Sequence, residues 1–210
     1  MYVPKHFDEP RIEVLHQLMR ARPLATLVTH SAGSLDANHI PLHLSIEPAP
    51  LGALRGHVAR ANPVWRDVAP GVEVLAIFHG PEAYVTPSWY PTKAENGKAV
   101  PTWNYAVVHA HGSLRIIDDP AWLRASLESL TAENEAAFAE PWRMDEAPAD
   151  YIEAMLRAVV GIEITITRLE GKWKTSQNQP QQNRAGAAAG LRADGRPESL
   201  AMAELIEAAK

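Results

Sequence analysis

Residues 100–116 read VPTWNYAVVHAHGSLRI. Trp103, Asn104, Tyr105, His109 and His111 fall on a Val/Ala background that reads as a strand. Strand residues two apart share a face, so His109 and His111 can ligate one metal ion. His39 and His43, in HIPLH, share a face if Pro41 leaves the alternation intact. A zinc or iron hydrolase built on either pair needs a carboxylate as well. The acids near them in sequence are Asp36 and Asp118. Three readings stand: a metal site, a wall for a ring-shaped cofactor, or the polar edge of a half-exposed strand.

A second cluster lies at GHVARANPVW. A strand ends near Arg60, Asn62 suits a helix N-cap and Pro63 a first helical position. A helix start offers free N–H groups and partial positive charge, which suit a phosphate. Arg60 precedes it and can give a phosphate two parallel hydrogen bonds. His57 sits one turn of strand earlier. The plain reading of the same residues is a strand-to-helix corner with a surface Arg. A third cluster is KWKTSQN, where Lys172, Lys174, Ser176, Gln177 and Asn178 crowd donors after an apolar strand. As a surface loop it needs no explanation. Combined with Arg60 it would suit a flat anion, and Trp103 and Tyr105 would stack on rings while Asn104 reads a polar edge.

Composition narrows the classes. The chain has 210 residues, of which 46% are hydrophobic, enough for a core. The net charge of −5 argues against general affinity for nucleic acid or anionic membrane. The absence of Cys removes disulfides, thiolate nucleophiles, iron–sulfur clusters and Cys-based zinc sites, and agrees with a cytoplasmic protein. MYVPKHFDEPR has no apolar h-region, so no signal peptide is expected. No apolar run approaches the roughly 20 residues of a membrane span. G-x-G-x-x-G, P-loop and G-x-S-x-G patterns are missing, and the Lys and Arg are scattered.

The elements that must position these residues follow from periodicity. DEPRIEVLHQLMRARP reads as an opening helix with Ile12, Leu15 and Met19 on one face. Strands are expected at 24–30, 35–46, 53–60, 72–80, 83–90, 103–117 and 161–170, with a short helix at NPVWRDVA. Residues 91–102 read as a polar loop. Asp119 caps a helix that starts at Pro120, and ADYIEAMLRAV is a second one. Residues 171–190 read as a polar Gln/Asn-rich segment ending in a bland AGAAAGL run, and RPESLAMAELIEAA as a final amphipathic helix. Consecutive strands with short turns favour an antiparallel barrel or sandwich over a parallel α/β sheet.

HVARANPVW, VPTWNYAVVHAHG and KWKTSQNQP together resemble the PaiB-type family of FMN-binding negative transcriptional regulators. MYVPKHF, NHIPL (38–42) and PEAYVTPSWY (81–90) resemble it too, in the same order along nearly the whole chain. The resemblance implies a mainly β fold with α additions: an FMN-binding split β-barrel of antiparallel Greek-key type. It spans residues 1–210 as one domain, with a helical insertion at 119–158 and a C-terminal helix at 197–209. It implies a homodimer that holds FMN at the subunit interface, and a regulator of transcription that is not an enzyme. DNA enters as a partner by the resemblance alone. The alternative on the same fold is an FMN-dependent oxidoreductase, either a flavin reductase or like pyridoxamine-phosphate oxidase. By the resemblance, Asn38, His39, Ile40 and Pro41 lie against the isoalloxazine, and His57, Arg60 and Asn62 serve the phosphate end. Trp103, Asn104, Tyr105 and His111 come near the ring, and Lys174, Ser176 and Gln177 close the site. No catalytic or metal residue is implied. The chain departs from the family pattern at Gln179, which stands for a basic residue, and at Asn183, which stands for an acid.

Overall fold

Seven strands carry the fold in the computed structural model, which describes residues 1–31, 33–69 and 71–209. They are β1 (Leu24–Ser31), β2 (Ser34–Pro41), β3 (His43–Ser45), β4 (Ala53–Ala59), β5 (Glu73–Val85), β6 (Thr102–Ile117) and β7 (Val159–Lys174). They form one sheet in the order β2-β1-β5-β6-β7-β4-β3. β1 pairs with β2 and β5, β3 with β4, and β4 with β7, all antiparallel. Helices α1 (Ile12–Ala21), α2 (Val64–Asp67), α3 (Thr92–Asn96), α4 (Pro120–Glu135), α5 (Ala149–Arg157), α6 (Gln181–Asp194) and α7 (Pro197–Ala208) complete it. The class is mainly β with α additions, as the sequence implies.

The chain divides into two compact units. One comprises Met1–Leu18, His79–His109 and Glu170–Lys210; the other comprises Met19–Phe78 and Ala110–Leu169. In the second unit, β2 and β3 stand at opposite edges of the sheet order, yet only Leu42 separates them in sequence. A chain cannot reach both edges of a flat sheet in one residue, so the sheet curls until its edges meet. This is the split barrel. Leu42 is buried, and its N–H donates to Pro23 O at 2.8 Å. β4 passes close beneath this corner. A Cβ at Gly56 would come within 2.8 Å of Leu42 Cδ2 and 2.9 Å of Pro41 O, so only glycine fits. The interior is apolar by strand alternation: Leu27, Leu54, Val58, Ala76, Phe78, Ile162 and Ile164 are all buried.

The helical insertion has a small core of its own. Leu123, Ile152 and Leu156 pack with Trp122, Leu127 and Met144. Asp119 caps α4 as expected, its carboxylate accepting from Ala121 N at 2.8 Å and Trp122 N at 3.4 Å. Trp122 lies over Gly161 of β7, where a Cβ would meet the indole at 2.5 Å.

In the first unit, Ala83, Val85 and Tyr90 pack with Ala187, Ala188 and Leu191 of α6 and Met202, Ala203 and Ile206 of α7.

Five local expectations are corrected. Residues 35–46 are not one strand, because the chain changes edges at Leu42. Residues 72–80 and 83–90 are not two strands: β5 runs through Gly80 and Pro81, and Pro87–Trp89 form a 3-10 turn started by Thr86 Oγ1. The polar loop 91–102 contains α3, and the segment 171–190 contains the end of β7 and most of α6. The short helix starts one residue later than read, with Pro63 at the cap position and Val64 first.

Candidate functional site

In the barrel unit the expected phosphate residues sit at the exit of β4. Asn62 bends the chain there: its Oδ1 accepts from Val64 N at 2.9 Å, and its Nδ2 donates to Asn38 Oδ1 at 2.7 Å. Asn38 in turn donates to Asp36 Oδ2 at 2.9 Å. Asn38 and Asn62, 24 residues apart, are therefore brought together. α2 is a single turn of four residues, so it contributes little dipole of its own. Arg60 is already engaged. Its guanidinium makes a bidentate pair with Asp118 (2.6 and 3.0 Å) and donates to Arg157 O at 2.8 Å and Val159 O at 3.1 Å. The pair holds the Asp118 carboxyl below its usual range and raises Arg60 further. Trp65 closes the corner, with Nε1 donating to Arg60 O at 2.9 Å.

His57 is half-buried on the same strand, and burial lowers its pKa, so it stays neutral at pH 7. Two positions before it, Arg55 donates to Glu163 at 2.9 Å, and Arg115 donates to the other oxygen at 2.7 Å. Sequence reasoning missed this Arg55–Glu163–Arg115 group, because three strands supply it and no local motif marks it. Burial works to raise the Glu163 pKa, but hydrogen bonds from Arg115 and Arg55 hold it lowered.

The His39–His43 pair departs from the sequence reading. His39 lies on β2 and His43 on β3, at opposite edges, so they do not share a strand face. His39 Nδ1 is 3.2 Å from Thr26 Oγ1, and His43 Nδ1 is 2.8 Å from Glu133 of α4. His111 Nδ1 lies 3.4 Å from Glu73 on β5. His43 and His111 thus each have an acid at hand, Glu133 and Glu73, that is remote in sequence. Ile40 is buried and Pro41 exposed at the end of β2.

In the other unit, Asn104 is buried and donates to Ser176 Oγ at 2.8 Å. Ser176 adopts φ 64°, a left-handed conformation that an L-residue holds only when its surroundings fix it. Gln177 stitches the loop to itself, accepting from Thr175 N at 2.8 Å and donating to Trp173 O at 2.6 Å. Lys174 donates to Thr102 Oγ1 at 2.5 Å and Trp103 O at 2.6 Å, and burial lowers its pKa. Its Nζ and that of Lys172 lie 5.9 and 5.3 Å from the Tyr105 ring centre. Trp103 is 54% exposed and meets Tyr84 edge-on at 5.9 Å. Gln179 and Asn183 form a neutral network: Asn183 bonds Thr92 Oγ1 (2.9 and 3.0 Å) and donates to Gln179 Oε1 at 3.1 Å.

A family model described as "Putative FMN-binding domain" matches residues 1–168. The chain belongs to this FMN-binding family. Its cofactor is FMN. Protease synthase and sporulation protein PAI 2 of Bacillus subtilis is 30% identical over 207 residues, covering 99% of this chain and 97% of that protein. An uncharacterized protein of Emericella nidulans, AN0679, is 34% identical over 241 aligned positions, covering 98% and 96%. The flavocytochrome Anf3 of Azotobacter vinelandii shares the fold, with a TM-score of 0.61 at 14% identity over 82% of this chain and 72% of that one.

The residues present fit an FMN-binding protein. Trp103 and Tyr105 supply ring faces suited to a flat heterocycle, whereas the guanidiniums of Arg60, Arg55 and Arg115 are engaged by Asp118 and Glu163. Asn104 Oδ1 is a buried acceptor with no hydrogen-bond partner among the described residues, and an N–H of a bound imide ring would satisfy it.

Proposed function

We propose that this chain is an FMN-binding regulator of the PaiB type that works as a homodimer and acts on transcription. The observation that supports it is the similarity to PAI 2 across 97% of that protein's length. Bound FMN would supply redox and ring-stacking chemistry. The chain's own residues would hold it: Arg60, Asn62 and His57 at the phosphate, Asn38, His39, Ile40 and Pro41 along the ring. Trp103, Asn104, Tyr105 and His111 would add ring and amide contacts, and Lys174, Ser176 and Gln177 would close the site. Mixing purified protein with FMN tests the first part. Quenching of flavin fluorescence and a doubled mass in sedimentation are the expected results; free flavin and a monomer would sink the reading. A promoter fragment shifted by the FMN-loaded protein tests the second part.

One observation favours a second reading, an FMN-dependent oxidoreductase. A net charge of −5 opposes contact with a phosphate backbone. Oxidation of NAD(P)H with a small acceptor, without any DNA shift, would decide for the enzyme.

A further inference from the structure

The helical insertion exposes several large apolar side chains. Phe138 is 63% exposed, Trp142 42%, Tyr151 55% and Met155 45%. Tyr151 and Met155 lie one turn apart on α5, on the exposed flank next to the packed Ile152 and Leu156. Trp142 walls a cavity of about 450 Å³ between the last turns of α4 and residues 141–145. Ala132, Ala136, Pro141 and Met144 give it apolar lining, and Glu128, Glu135 and the Arg143–Asp145 pair give it charged lining. The wall is held in place, because Trp142 N–H donates to Glu135 Oε2 at 3.0 Å.

Charge selects the occupant. Residues 119–158 hold nine Asp and Glu against three Arg and no Lys, whereas the whole chain has a net charge of only −5. Two of those cations are internally committed: Arg124 to Glu153 at 2.6 Å, and Arg143 to Asp145 at 2.9 Å. Apolar and indole surface beside surplus carboxylate suits a cationic, amphipathic guest, with a Lys or Arg head over Trp142 and its stem on the apolar lining. Nucleic acid and anionic lipid would be repelled. A two-fold contact with a second copy would set two such acidic faces against each other.

We propose that the insertion is a docking surface for a basic amphipathic segment of a partner protein, seated in the Trp142 cavity. The reading is independent of the flavin site. The test uses the full-length, FMN-loaded chain and a fluorescein-labelled helical peptide of Leu and Lys, with a Leu and Glu peptide as control. Anisotropy should rise with the Lys peptide alone and fall back with added salt. Trp142→Ala should weaken binding by about tenfold or more, as for a central aromatic anchor. Glu128→Gln combined with Glu135→Gln should weaken it several-fold and flatten the salt dependence. FMN uptake and the melting curve should stay unchanged in the Gln pair, because an amide oxygen at position 135 still accepts from Trp142 N–H. Equal affinity for both peptides, or for the wild type and the Gln pair, would overturn the proposal. So would a dimer that Phe138→Ser splits into protomers, because a second copy would then be the occupant.

Discussion

Arg60 and Asp118 face each other through two parallel hydrogen bonds, Nη2 to Oδ1 at 2.6 Å and Nη1 to Oδ2 at 3.0 Å. The pair ties the end of β4 to the end of β6. With Arg157 O and Val159 O also accepting, most of the guanidinium donors are used. A phosphate at this corner would have to compete with Asp118. Asp118→Asn should therefore tighten FMN binding several-fold, and Arg60→Ala should weaken it about tenfold. Titration of flavin fluorescence reads both. If FMN affinity is unmoved in both variants while the melting temperature drops, Arg60 is a structural clamp only.

His57 makes stability depend on pH in a defined window. Burial lowers its pKa in the folded chain, while in the unfolded chain it takes the ordinary value near 6.5. As pH falls below about 6.5, the unfolded state binds the proton that the folded state resists. Stability present above that pH is lost progressively as the medium is acidified. The expected result is a melting temperature that falls between pH 7 and pH 5.5 and falls less in His57→Gln. Parallel curves for the two proteins would remove His57 as the cause.

The strands were legible because alternation is local: Ile162, Ile164 and Ile166 announce β7 without help from elsewhere. The site was legible as motifs but not as partners. Nothing near Arg60 in sequence names Asp118, which lies 58 positions on, and nothing near His43 names Glu133. The curl of the sheet was hidden as well. Leu42 reads as one more apolar residue in HIPLHL, and only the strand order shows that the chain changes edges there. α6 escaped because its buried positions are Asn183, Ala187, Ala188 and Leu191, which give almost no apolar periodicity.

Glu163 carries two guanidiniums at once, Arg55 at 2.9 Å and Arg115 at 2.7 Å. It is buried, whereas both Arg side chains reach solvent, so water offsets part of the loss when the carboxylate is removed. Glu163→Gln should cost about 1–2 kcal/mol, below the figure for a fully buried pair. Chemical denaturation with an unchanged m-value measures it. The lowered pKa of Glu163 also means that its contribution is present above the unfolded carboxylate range and lost as pH falls through the folded value. Acid unfolding should accordingly be shallower in Glu163→Gln.

The small residues of α6 are a packing requirement. A Cβ at Gly186 would collide with the Trp89 carbonyl oxygen and approach Pro91 Cδ at 3.2 Å, while one at Gly190 would enter the Trp89 indole. The helix therefore lies directly on the 3-10 turn at Pro87–Trp89. Alanine is the better helix former by about 1 kcal/mol, so on propensity alone Gly186→Ala should stabilise α6. The obstacle at Gly186 is backbone, which cannot rotate away as a side chain can, and overpacking of this kind costs about 1–3 kcal/mol. The clash should win, and Gly186→Ala should melt lower than wild type. At Gly190 the obstacle is a side chain, so Gly190→Ala combined with Trp89→Leu should recover part of the loss seen in Gly190→Ala alone. Thermal melts of the three variants decide it. A Gly186→Ala protein that melts higher than wild type would show that α6 stands off the turn.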